Sequence, residues 1–274
     1  MSLFWSQWAP AYFNEATLKW LSDDWKCTII RAPLGVEADG YLKNPTIESQ
    51  KITTVIDAGI KLGIYVIVDW HEERAENHTQ EAKAFFNTIA SKYGKYPHII
   101  YEIYNEPLNV SWKQVIKPYA EQIINTIRAH APHNLIIVGT RNWSQDVDDV
   151  IGNRIDDPNV LYSLHFYTGT HRQWLRDKAM KALAAGIPIF ASEWGLSDAT
   201  AGGTIDQIES AKWLNYLDAN NLGSCNWAVN NKNETPSALR PTTTALSGWK
   251  SNELSLSGQM VRDYLIQRNS IYFK

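Results

Sequence analysis

Cysteine is nearly absent from the 274 residues: Cys27 and Cys225 are the only two. Two thiols cannot make a disulfide framework, and their spacing is not that of a zinc site, so both read as small buried hydrophobes in apolar strand-like runs. An excess of one charge is lacking as well. Lys and Arg total 26 against 29 Asp and Glu, a formal net charge of −3. That balance leaves no electrostatic footprint for nucleic acid or an anionic membrane, and neither is expected as a partner. No stretch reaches the roughly 18 uninterrupted apolar residues of a membrane span. The opening MSLFWSQWAP has neither the charged nor the apolar region of a signal peptide. No G-x-G-x-x-G turn follows an early strand, which argues against a dinucleotide-binding open sheet. Neither H-x-H nor H-E-x-x-H occurs, so a metal-dependent barrel hydrolase using Asp69, His71, Glu72 and Glu73 is a remote alternative. No metal and no cofactor are expected.

Aromatic side chains, in contrast, are abundant, with 12 Trp and 13 Tyr. Each carries a polar atom that must find a partner when buried, so some are expected to face a groove, although packing accounts for most. A flat indole face suits the axial C–H face of a β-linked sugar. Along the chain, short apolar runs alternate with helical patterns. The runs end at Pro33, Trp70, Pro107, Thr140, Tyr167, Gly195 and Val229, and their near-continuous apolarity suits parallel strands covered on both faces. Helices are predicted near residues 15–22, 46–62, 79–92, 112–130, 173–185, 205–220 and 254–268, with Ser111 and Gln114 as a capping box for the fourth. Strand then helix, repeated about seven times, predicts an α/β fold of the (β/α)8 TIM-barrel kind as one domain over residues 1–274, with an open doubly wound sheet as the structural runner-up. The stretch 235–248 reads as a long loop.

In such barrels the residues that act sit at the carboxyl ends of the strands. Those ends are polar here: Arg31, Asp69-Trp70-His71, Asn105-Glu106-Pro107, Asn142-Trp143, His165 and Tyr167, Glu193-Trp194-Gly195, and Asn226-Trp227. Glycoside hydrolysis needs two carboxyl groups flanking one bond, and Glu106 and Glu193 are the candidates. A lone Glu at a strand end is more often a structural ion-pair partner. Two of them, each beside amide, aromatic and imidazole residues, point to chemistry.

Asn-Glu-Pro at 105–107, His-x-Tyr at 165–167 and Glu-Trp-Gly at 193–195 resemble clan A glycoside hydrolases. More narrowly, the chain resembles glycoside hydrolase family 5 of the bacterial endoglucanase type, from about Ser2 to Leu265. The resemblance implies Glu106 as acid/base and Glu193 as nucleophile, with Arg31, His71, Asn105, His165 and Tyr167 in support. It further implies Trp227 as a platform at the cleavage point, and Trp8, Tyr41, Trp143, Lys232 and Glu234 in neighbouring subsites. These roles are chemically sensible: Arg31 can keep Glu193 ionised, Tyr167 can donate to it, and the histidines can tune proton affinity. The duller reading of Arg31 is an ion pair with Asp69.

The implied function is a retaining endo-β-1,4-glucanase acting on β-glucan by double displacement. A β-mannanase, xylanase or mixed-linkage glucanase on the same catalytic core is the alternative, and a non-catalytic carbohydrate-binding protein a remote one. Location outside the cell is expected from the resemblance alone. One departure stands out. The family's first barrel strand would precede Ser2-Leu3-Phe4-Trp5, so this strand is expected to be truncated. The consequence is either a shortened, destabilised barrel or a homo-oligomer covering unpaired edges. A histidine of related enzymes near that strand is replaced by Phe4 or Trp5, which alters the outermost negative subsite.

Overall fold

The computed structural model describes residues 1–273. Seven runs form strands: β1 (Ile29–Gly35), β2 (Tyr65–His71), β3 (Ile99–Glu102), β4 (Ile136–Val138), β5 (Val160–Tyr167), β6 (Ile189–Gly195) and β7 (Ser224–Asn226). They pair in sequence order, every pair parallel. A doubly wound sheet would reverse its order part-way; this sheet does not, and it curls until β1 and β7 approach each other.

The remaining gap is filled by the first three residues. Ser2 bridges Arg31 and Leu3 bridges Val229, both in parallel sense. Ser2 N–H donates to Asn226 O at 2.8 Å and Val229 N–H to Ser2 O at 2.9 Å. On the other side Leu3 N–H donates to Arg31 O and Arg31 N–H to Met1 O, both at 2.9 Å. The first strand is therefore as short as expected, but its neighbours are not left as free edges there. Backbone pairing needs no side-chain match, so three residues suffice to bridge the opening.

The helices lie where the apolar periodicity puts them, with one difference. The segment from Trp112 begins as a π-turn, Trp112–Ile116, before the α-helix Lys117–Arg128. Pro118 has no N–H to give the carbonyl four residues back, so the register opens by one residue. Ser111 caps this turn by accepting from Gln114 N–H at 3.2 Å. The helix Pro45–Leu62 ends on Gly63, at φ +68°. Gly59 lets that helix sit close on β2, since a Cβ there would meet Val66 Cγ2 at 2.3 Å.

Two apolar layers result. The larger fills the space between sheet and helices. The smaller lies inside the barrel, where Ile67, Ile100, Ile137 and Cys225 meet, flanked by Ile29, Leu135, Leu161 and Phe190. Side chains two residues apart on a strand share a face. One step from Ile29, Ile67 and Ile100 toward the carboxyl end therefore brings Arg31, Asp69 and Glu102 into the same interior.

Candidate active site

That step takes the interior from apolar to charged, and Arg31 is its centre. Its side chain is fully buried and spends its donors on four groups. Nε donates to Glu102 Oε2 at 2.6 Å, Nη1 to Glu193 Oε2 at 2.7 Å and Nη2 to Asn105 Oδ1 at 2.6 Å; Asp69 Oδ2 lies 2.9 Å from Nη2. The ion pair with Asp69 and the contact with Glu193, weighed as alternatives from sequence, both exist. A guanidinium suits this place because its fork of donors is planar and stays charged when buried.

Glu193 reaches Arg31 because β6 is irregular. Ser163 pairs with Phe190 but His165 with Glu193, and on the other side Ala191 pairs with Ser224 but Trp194 with Asn226. β6 thus carries one extra residue relative to both neighbours, a bulge that turns consecutive side chains inward. Ser192 Oγ lies 2.9 Å from His165 Nε2, while Glu193 receives Arg31 and, at 2.6 Å, the hydroxyl of Tyr167.

Glu106 follows β3 and is less enclosed. His165 Nδ1 sits 2.9 Å from its Oε1. One oxygen of Glu106, one of Glu193 and a ring nitrogen of His165 all lie within 4.8 Å of one another. His71 is fixed from both ends: Nδ1 faces Asp69 Oδ2 at 2.6 Å, and Nε2 faces Asn105 Nδ2 at 3.4 Å. With Nδ1 donating to the carboxylate, Nε2 is left to accept from the amide. The imidazole of His71 stacks on Trp227 at 5.1 Å, 8° from parallel.

The two carboxyl groups have opposite proton affinities. Burial raises that of Glu106, and the negative charge of Glu193 adds to it against the pull of His165. Burial would raise Glu193 too, but the positive charges of His165 and Arg31 outweigh it and hold Glu193 below its ordinary range. A pair pushed apart in this way can hold one proton on Glu106 while Glu193 stays ionised.

The other expected residues fall into two groups. Trp8 is 53% exposed and Trp143 43% exposed, so both display their rings. Trp143 sits in a strained turn, with Asn142, Trp143 and Ser144 all at φ between 56° and 60°. The turn is bolted to the Glu106 segment: Trp143 N–H donates to Pro107 O at 2.8 Å and Ser144 Oγ to Asn105 O at 2.8 Å. Lys232 pairs with Glu234 at 2.7 Å and lies 4.6 Å over the Phe4 ring, which packs against Trp227 at 5.1 Å. Phe4 thus underlies this corner as an apolar wedge, while Trp5 stands edge-on to His71 at 4.1 Å. Tyr41 is placed differently. Half-buried, its ring lies edge-on to Trp70 and Phe85, part of the packing behind β2.

Asp69, His71, Glu72 and Glu73 do not converge as a ligand set: Asp69 faces Arg31 and His71, while Glu72 Oε1 accepts from the N–H groups of Glu73 and Arg74. Among the described residues, the groups whose ligand atoms come within 4.8 Å are Glu106, His165 and Glu193, and, apart from them, Glu37, Glu72 and His78. Sequence reasoning missed Glu102 and Ser192. Glu102 had a signal, a lone charge inside the apolar run Ile99–Tyr104; Ser192 had none.

Residues 1–233 match the family model described as Cellulase (glycosyl hydrolase family 5). The chain belongs to glycosyl hydrolase family 5. Similar members include Endoglucanase A of Evansella cellulosilytica, 44% identical over 97% of this chain and 55% of that protein, and Endoglucanase Z of Dickeya dadantii, 47% identical over 90% of this chain and 59% of that protein. The chain thus spans little more than half the length of these relatives. Among solved structures, one from Cytophaga hutchinsonii superposes with a TM-score of 0.98 at 48% identity, covering 100% of this chain and 90% of that one. The catalytic domain of a Thermobifida fusca endoglucanase, solved with cellotetraose, gives a TM-score of 0.93 at 31% identity, covering 97% of this chain and 90% of that one. Those family 5 neighbours share the (β/α)8 barrel.

Proposed function

We propose that residues 1–274 act as one catalytic domain, a retaining endo-β-1,4-glucanase, with Glu193 as nucleophile and Glu106 as acid/base. The observation that carries this reading is the distance between the two carboxyl groups, whose nearest oxygens lie within 4.8 Å. Retention needs a gap of about 5–5.5 Å, whereas inversion needs about 6.5–9.5 Å to admit a water. Glu193, ionised beside Arg31, attacks the anomeric carbon while Glu106, protonated, gives its proton to the departing oxygen. A covalent glycosyl-enzyme forms. Glu106 then takes a proton from the incoming water, which displaces Glu193 and restores the original configuration. Asn105 is read as a donor to the 2-hydroxyl beside the reacting carbon, and Trp227 as the platform below the sugar.

Trp8, Trp143, Lys232 and Glu234 are assigned to neighbouring subsites, Tyr41 only as support from behind. β-1,4-Glucan is favoured as substrate because the similar proteins are named endoglucanases and one solved neighbour holds cellotetraose. A polysaccharide cannot cross a membrane, so the reaction belongs outside the cytoplasm. No helix among the described residues is long and apolar enough to span a bilayer. All the proposed groups come from one chain, and the reading requires no second copy.

Reducing-end release from carboxymethylcellulose, glucomannan and xylan, measured for the parent and for Glu193→Gln, tests the reading. Release from the cellulose derivative is expected to exceed the others and to fall by about a thousandfold or more in the variant, as for loss of a covalent catalyst. The first-formed product should keep the β configuration by NMR. An α product, or release unaffected by the substitution, refutes the assignment.

A further inference from the structure

Glu102 is fully buried, and it lies between the two basic side chains that contact the reacting pair. Its Oε2 accepts from Arg31 Nε at 2.6 Å, and Arg31 in turn donates to Glu193. Its Oε1 has no hydrogen bond and faces His165 Nε2 at 3.8 Å, and the other nitrogen of His165 meets Glu106 at 2.9 Å. One carboxylate therefore touches both halves of the site, each through a single intermediary.

We propose that Glu102 is a positioning residue: its charge keeps His165 protonated against Glu106 and holds Arg31 aimed at Glu193. This rests on the assignment of Glu106 and Glu193 above. The imidazole has oxygen atoms at both nitrogens, from Glu106 on one side and from Ser192 and Glu102 on the other. A doubly protonated ring donates to Glu106 and to Ser192 with Glu102 facing its positive charge, whereas a neutral ring bonded to Glu106 through Nδ1–H accepts from Ser192 and turns its lone pair toward Glu102. Glu102 is already paired with Arg31 through Oε2, and a positive ring sets a second opposite charge against its free oxygen Oε1.

The surroundings agree. Burial would lower the proton affinity of His165, but Glu102 and Glu106 outweigh it and lift the group to about 9. Glu102 itself is held down to about 2, burial being overcome by Arg31 and His165. The other ionisable groups near the pair are Asp69 from β2, Cys225 from β7, Glu193 from β6 and His171 beyond β5. None of these stands between Glu102 and His165. Nor is Glu102 needed simply to balance Arg31, since Asp69 and Glu193 already give it two carboxylates. The substitution Glu102→Gln keeps the shape and an oxygen for Arg31 while removing the charge.

The test is side-chain NMR of His165 in ¹⁵N-histidine-labelled full chain, parent and Glu102→Gln, titrated alongside kcat and KM on a soluble β-glucan. In the parent, His165 is expected to be doubly protonated at neutral pH. In the variant its midpoint should fall by about one unit or more, kcat should drop roughly tenfold with KM within about twofold, and Glu102→Asp should recover part of both. A neutral imidazole in the parent at neutral pH overturns the proposal without any variant. An unshifted His165 titration in Glu102→Gln overturns it too, even if stability or kcat falls, because that is the signature of a purely structural role. Should the Gln variant not fold, the parent titration decides alone, since Glu102→Asp keeps the charge and with it much of the His165 midpoint. A parent that fails to cleave β-glucan defeats the catalytic assignment and leaves the His165 measurement readable on its own.

Discussion

The two ends of the barrel are lined from the same strands, by side chains of the same parity except where the bulge in β6 intervenes, yet they hold different things. Toward the amino end, Ile29, Ile100, Leu135 and Phe190 border a cavity of about 810 Å³, together with Met1, Leu222 and Tyr272. Toward the carboxyl end, one step along the strands, Arg31, Asp69, Glu102, His165 and Glu193 are packed so tightly that almost none of their surface is exposed. This hollow is without catalytic groups. Concavity by itself does not locate chemistry; a set of buried charges that must satisfy one another does. The apolar layer underneath also excludes water from the charged layer, which strengthens every interaction within it.

The comparison predicts that small changes in the charged layer act on rate and those in the apolar layer on stability. The largest effect argued from it is for Tyr167→Phe, which removes one hydrogen bond to Glu193 and little else. A bond to a charged group is worth about 1.5–3 kcal/mol, so kcat should fall roughly ten- to hundredfold. The sign with pH is fixed. The tyrosine hydroxyl favours the ionised form of Glu193, so without it Glu193 takes up a proton at higher pH. Because the nucleophile works ionised, the acid limb of the kcat/KM profile should move upward. A profile that keeps its shape would mean that the bond to Glu193 does not matter.

A smaller effect is expected at the rim. Trp8 is half exposed and stacks only loosely, its ring 4.8 Å from that of Trp5. Trp8→Ala should raise KM about three- to tenfold with kcat unchanged, the pattern of a residue that binds substrate and transition state alike. Stability should stay within about 0.5 kcal/mol, as for most surface changes. Isothermal titration with cellotetraose on a Glu193→Gln background would separate the binding loss from turnover. A fall in kcat instead would place Trp8 nearer the reacting bond than its exposure suggests.

How much of this was legible in the sequence depends on the range of the interactions. All seven strands were, because a parallel strand covered on both faces is written as a continuous apolar run. Glu106 and Glu193 were found as polar residues at strand ends, and the structure brings them together. Harder to read was anything set by register. The extra residue in β6 falls at Ser192, between Ala191 and Glu193, with no glycine or proline to mark it, so its inward turn was hidden. The π-turn before Lys117 was written in Pro118, but a proline near a helix start ordinarily means no more than a good first turn. Glu102 was hidden for another reason: its partner Arg31 lies 71 residues away in sequence. A single charge in an apolar run says that a partner must exist without saying where. The short first strand was legible, but the bridges across the barrel seam were not, because they are carried by backbone atoms of Met1, Ser2 and Leu3, which any side chains would provide.

The smallest effect on activity is expected from the other layer, at Ile100, which is nearly fully buried among Ile67, Ile137 and Cys225. Ile100→Ala should cost about 2–4 kcal/mol, toward the lower end because the site already borders a cavity and the lost methyl groups had few neighbours on that side. For a chain of this size each kcal/mol lowers Tm by about 2–4 °C, so a calorimetric scan should register the change clearly. Yet kcat/KM at 25 °C should stay within about twofold, although Ile100 lies only two residues before Glu102 on the same strand. The reason is that Glu102 is held from above and from the side, by Arg31 and His165, and not by the packing below it. If kcat falls together with Tm, the charged layer leans on the apolar one, and the division between the two ends of the barrel has to be given up.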